Sequence, residues 1–199
     1  MLTRAEDRVG AEAPRWNPLA EVVLPGAQAV VELGLRIARG CAADRAAFHA
    51  GYVSVAGDPA IDGVEVVTEL RRVVLLAEAY LAAGNPLPEA DQLAEALCPF
   101  QGRLTVIARI RFHPQNGYTA VPPLDVRLGT GFSMLSALEV RTAAIEDATA
   151  APGVGRSVIR GAVVEASFRA THERAIQTLV IHVNNVYLMV ATVDLTRMP

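Results

Sequence analysis

The apolar residues of this chain change period near residue 103, and that change constrains the fold more than any other feature. Before it they recur every third or fourth position, as on one face of a helix. After it they recur at every second position, as on one face of a strand. A chain of 199 residues with helices in its first half and strands in its second reads as one α+β domain. The expected architecture is an antiparallel sheet of about five strands, made of a hairpin and a C-terminal meander, with amphipathic helices packed on it. The expected divisions are a polar N-terminal arm over 1–16, a mainly helical part over 17–98 and a mainly β part over 99–199.

In the helical part, "AQAVVELGLRIARGCAADRAAFH" (27–49) places Val30, Leu33, Ile37, Cys41 and Phe48 at helical spacing, with Glu32 and Arg36 paired on the other face. "YVSVA" (52–56) is expected as a short strand. Asp62 followed by Glu65 has the spacing of a capping box and opens a second helix through Val66, Val67, Leu70, Val73, Val74, Ala77 and Leu81. Gly84 and Pro86 close it. A third, short helix is expected over 88–97, with Pro88 at its first position.

In the β part, "RLTVIARIRFH" (103–113) puts Leu104, Val106, Ala108, Ile110 and Phe112 on one face. Thr105, Ile107, Arg109, Arg111 and His113 lie on the other. Asn116-Gly117 signals a tight hairpin, so Tyr118–Leu128 is expected as the return strand, held at a sheet edge by Pro122-Pro123. Residues 133–149 fit a helix through Met134, Leu138, Thr142 and Ile145. The remainder reads as a meander of strands over 157–169, 175–183 and 186–195, turning at Asn184-Asn185 so that Val183 meets Val186 and His182 meets Tyr187. In that register Ile181 and Leu188 share a face that is apolar near the turn. The opposite face is apolar as well, so the meander needs cover on both sides.

Composition says where such cover comes from. Charged residues are 20% of the chain and apolar residues 52%, an apolar balance for a monomer that must face water everywhere. The excess is expected to be covered by another copy or a protein partner, with Trp16 anchoring the arm and Ile181 and Leu188 at the interface. A net charge of -3 argues against nucleic acid, which requires clustered positive charge. All 18 basic residues are Arg. The codon usage of a GC-rich genome is the expected reason, ahead of selection for fork-shaped carboxylate or phosphate recognition or against lysine modification, and either way no lysine is left for Schiff-base or P-loop chemistry. The longest apolar helical stretch, "VVLLAEAYLAA", carries Glu78 and is too short for a bilayer, and the N-terminus lacks the apolar core of a signal peptide. A cytoplasmic location without membrane insertion is expected. Cys41 and Cys98 have no CxxC context and the histidines have no metal spacing, so neither a metal nor a cofactor is expected, and both cysteines read as core residues.

One polar cluster stands out as a candidate site. Glu165 and Arg169 lie two positions apart on one strand face, and the meander register brings Asp194 toward Arg169. If the strand bearing Arg109 and Arg111 joins the same sheet, the group could hold a small carboxylate or phosphate. The competing reading is a solvated sheet end carrying surface ion pairs. His182 reads as a residue at the core margin, hydrogen-bonded to Tyr187 or to water, with no catalytic part. The expected function is that of a non-catalytic interaction or assembly subunit. The alternative is a small-molecule-binding protein or metal-free enzyme using the Arg/Glu cluster.

Overall fold

The computed structural model of the protein describes residues 26–54, 57–146, 158–170 and 175–198. Trp16 and the expected arm over 1–16 lie outside the described residues. The helices are α1 (Ala27–Ala38), α2 (Ala42–Ala50), α3 (Glu69–Ala82) and α4 (Ala90–Leu97). Two strands fall among them, β1 (Val53–Ser54) and β2 (Ile61–Val67). Seven more follow: β3 (Arg103–Arg111), β4 (Leu124–Thr130), β5 (Ser133–Ser136), β6 (Glu139–Glu146), β7 (Ile159–Arg169), β8 (Ile176–Val183) and β9 (Tyr187–Asp194). The fold is α+β with antiparallel sheets, as the change of period implies. The strands form two sheets, ordered β1-β2-β3-β7-β6 (sheet A) and β5-β4-β8-β9 (sheet B).

The sheets pack face to face. Val64, Val106, Ile110, Val164 and Phe168 from sheet A meet Leu128, Leu179, Ile181, Met189 and Val193 from sheet B in one buried cluster, as inward residues of a β-sandwich do. A second cluster lies among the helices, with Val31, Leu35, Val73, Val74, Leu93 and Leu97 buried together. Phe48 packs against both clusters. Gly34 makes the helical cluster possible. A Cβ there would stand 2.5 Å from Val73 Cγ1, so only glycine lets α1 and α3 approach this closely.

Several local expectations are corrected. Residues 27–49 form two helices, because the chain breaks at Arg39-Gly40 and restarts after the N-cap Cys41. The stretch after Asp62 begins as strand β2, where exposed Glu65 separates buried Val64 and Val66. The helix begins later, at Glu69, where the Thr68 hydroxyl accepts from the Arg71 N–H at 3.3 Å. Asp62 and Glu65 hold arginines instead of a helix end, Arg111 at 2.7 Å and Arg71 at 2.9 Å. Cys41 and Cys98 are exposed, not core.

The expected pairings change for one shared reason: the chain crosses between sheets where hairpins were read. Asn116-Gly117 ends a 3-10 turn (Pro114–Asn116) with Gly117 left-handed, and β3 and β4 lie in different sheets. Pro122-Pro123 precede β4, which sits between β5 and β8 rather than at an edge. Residues 133–149 are not a helix. Gly131, at φ 53°, turns the chain into β5, and β6 follows. The meander is divided, β7 pairing with β3 and β6 while β8 pairs with β4 and β9. At the Asn pair both residues have positive φ and Val186 joins the turn, so Val183 meets Tyr187 and His182 meets Leu188. That shift of one residue moves every side chain of the partner strand to the other face.

Candidate functional site

Pairing of β3 with β7 sets Arg103 against Arg169, Thr105 against Ser167, Ile107 against Glu165 and Arg109 against Val163. Pairing of β6 with β7 adds Glu139 beside Ser167 and Arg141 beside Glu165. Directly opposed residues share a face, so all of these lie on the face of sheet A that points away from the sandwich core. Thr105 and Ser167 are buried beneath helix-side residues, while Arg109 and Arg111 further along are exposed.

Phe100 from the helical layer completes a cleft over this face, with Arg72 stacked against it. Arg72, in the first turns of α3, donates from Nη2 to Thr105 Oγ1 at 3.2 Å, and Thr105 Oγ1 lies 3.3 Å from Ser167 Oγ. The Arg72 guanidinium stacks on Phe100, 3.8 Å from the ring centroid, a cation–π contact. Phe100 follows α4 in a short 3-10 turn (Cys98–Phe100). The cleft has a volume of about 180 Å³ and is lined by Phe100, Arg103, Glu139, Arg141, Glu165 and Ser167, with Pro99 at its rim. Burial lowers the pKa of Arg72, and the Glu165 carboxylate acts in the opposite direction. Glu139 is engaged by Arg141 at 2.8 Å and, more loosely, by Arg103 at 4.0 Å. The lining offers two arginines, Arg103 and Arg141, the Ser167 hydroxyl and the carboxylates of Glu139 and Glu165 to a small polar ligand.

The residues expected at a site are distributed as follows. Arg109, Arg111, Glu165 and Arg169 do share one face of one sheet, but of these only Glu165 lines the small cleft. Arg111 is held at the opposite end of β3 by Asp62 and by the Pro59 carbonyl at 2.9 Å. Arg169 is exposed beside Arg103. Asp194 belongs to sheet B, opposite Ile176, and accepts from the Thr196 N–H at 3.0 Å. It is therefore in the sheet that does not contain Arg169. Arg72, Phe100, Arg103, Arg141 and Ser167 were not anticipated. The one readable signal was the Arg71-Arg72 pair at a helix start, where cations oppose the helix dipole and need another reason to be there.

A second, larger cleft of about 700 Å³ opens at one end of the sandwich, between Phe112 and Tyr118 of one side and Tyr187 and Met189 of the other, with Arg111 and His113 at its mouth. The Phe112 and Tyr118 rings meet edge to face at 5.0 Å. Tyr187 thus faces this cleft, while His182 lies on the outward face of sheet B between Asp125 and Leu188.

The surfaces differ from expectation as well. Ile181 is 0% exposed inside the sandwich, so it belongs to the core and not to a surface. Leu188 stands on the outward face of sheet B, 49% exposed, with Ile176, Val180 and Val190 on the same face. A separate apolar flank runs along β5 and β6, where Phe132, Leu135, Leu138 and Val140 are exposed. No helix among the described residues is long and apolar enough to cross a membrane. No protein-family model, curated protein or solved structure matches the chain.

Proposed function

We propose that the protein is a non-catalytic interaction subunit that works as an oligomer or within a larger assembly. One observation carries this reading: the apolar flank along β5 and β6, where Leu135, Leu138 and Val140 are exposed although Leu128 and Ala166, directly opposite Leu135 and Val140, are buried. Water-facing apolar side chains in a contiguous group are a mark of surfaces that meet another protein. The chain's low charge share, 20%, fits the same reading. Light scattering across a concentration series tests it. A mass above that of one chain is expected, and a strictly monomeric protein that retains no partner on native purification would overturn the reading.

The small cleft over sheet A favours a second reading, binding of a small carboxylate or phosphate between Arg103 of β3 and Arg141 of β6, which line it. Isothermal titration with acetate and inorganic phosphate tests this. Heat of binding that is lost in Arg141→Met supports it, and the absence of heat with either anion removes it.

A further inference from the structure

We propose that β6 pairs with β6 of a second copy about a two-fold axis perpendicular to the sheets, joining the two sandwiches into one. This inference rests on the assembly reading above and specifies its partner and its geometry.

The packing of the sandwich stops abruptly at this flank. Val140, Thr142 and Ala144 of β6 lie directly opposite Ala166, Val164 and Ala162 of β7. Those three β7 residues are at most 1% exposed, yet their β6 neighbours face solvent. Sheet B ends in the same way, with Leu128 at 2% and its partner Leu135 at 40% exposure. Among the described residues the flank therefore presents two open sheet edges at the spacing of a sandwich, roughly 10 Å. A partner that closes both must carry two edges at that spacing, and a second copy does so by construction. Two-fold symmetry then closes both flanks at once.

The other sheet edges are less available. The β1 edge is two residues long and the β5 edge four. On β9 the Val190 N–H is taken by the Asp58 carboxylate. By contrast β6 runs for eight residues as the terminal strand of sheet A among the described residues. It has no proline, and Val140, Thr142 and Ala144 put no charge on its inward face. Natural sheets commonly use those devices to keep an edge unpaired.

The sequence of β6, "EVRTAAIE", also selects a register. A two-fold axis of this kind keeps inward residues opposite inward ones. Centring it on Arg141 would oppose two arginines. Centring it on Ala143 would set Val140 against Glu146 of the partner. Centring it on Thr142 pairs the strand over nearly its full length, with Val140 against Ala144, Arg141 against Ala143 and Glu139 against Ile145. No like charges are opposed, and Leu138, just before the strand, meets the partner's Glu146 only at the end of the ladder, where both are exposed.

Cysteine cross-linking tests the register in the full chain, with the exposed Cys41 and Cys98 replaced by serine. Thr142→Cys sits on the axis, where opposed Cα atoms are about 4.5–5.5 Å apart, within disulfide reach. Mild oxidation is expected to convert most of that variant to a covalent dimer. Glu146→Cys, separated from its copy by roughly 27 Å at 3.4 Å per residue, is expected to remain uncross-linked. A second variant, Val140→Lys, places a charge inside the seam and is expected to halve the mass by light scattering with an unchanged far-ultraviolet circular dichroism spectrum. A dimer in which Thr142→Cys fails to cross-link and Val140→Lys fails to dissociate overturns the β6 pairing while leaving the assembly reading intact. A monomeric wild type without a partner overturns both.

Discussion

Arg71 shows how much one side chain can organise. It is 4% exposed, and its Nη1 donates to the Val66 carbonyl at 2.6 Å while its Nη2 reaches Glu65 at 2.9 Å. Its guanidinium lies over the Tyr52 ring, 5.3 Å from the centroid. It thereby ties α3 to β2. Arg71→Met is expected to lower unfolding stability by about 2–3 kcal/mol in urea, since a buried carbonyl loses a charged donor. Glu65→Gln is expected to cost less than about 1 kcal/mol, because the carboxylate is half exposed. Equal losses would show that Arg71 acts only through the ion pair. The neighbouring Arg72 follows the same logic toward Thr105 and Phe100. Both arginines were legible only to a reading that starts the helix at Thr68. Starting it at Asp62 puts them in mid-helix, where a basic residue is ordinary, and the polar cleft vanishes from view.

Among elements, α1 and α3 approach closely at Gly34, within a buried cluster that both helices share. Gly34→Leu would drive its side chain into Val73, whose Cβ would lie 2.7 Å from the new Cβ. A loss of about 1–3 kcal/mol is expected from such overpacking, with part of it recovered when Val73→Ala is combined with it. Additive losses in the double variant would contradict that contact. The β elements teach a different lesson. Period-two alternation made β3 and β7 to β9 legible, because each buries one face. Sheet membership was not legible, since a turn signal such as Asn116-Gly117 fixes local backbone and says nothing of which strand is next door. β6 was missed for a physical reason: an edge strand open on both faces buries neither, so Val140 to Ile145 show no alternation, and chance spacing of Met134, Leu138 and Thr142 imitates a helix. The Asn184-Asn185 turn was recognised, but with Val186 included in it Ile181 moves into the core and Leu188 out of it.

At the scale of the whole molecule, the described residues form a two-sheet sandwich with a helical layer over part of sheet A, and among them one side is left open. Charge share and apolar content announced that something would stay uncovered, and apolar side chains are exposed both along β5 and β6 and on the outward face of sheet B. The outward face of sheet B is a distinct surface, so Leu188→Ser is expected to leave the mass in solution unchanged, whereas Val140→Lys halves it; a drop in mass with Leu188→Ser would move the seam to sheet B. Amide hydrogen exchange of residues 139–146, followed by mass spectrometry at high and low protein concentration, tests the central claim most directly. Pairing of β6 with its copy predicts slow exchange in the concentrated sample and fast exchange on dilution, with β3 and β7 equally protected in both. Fast exchange of β6 at both concentrations would contradict it.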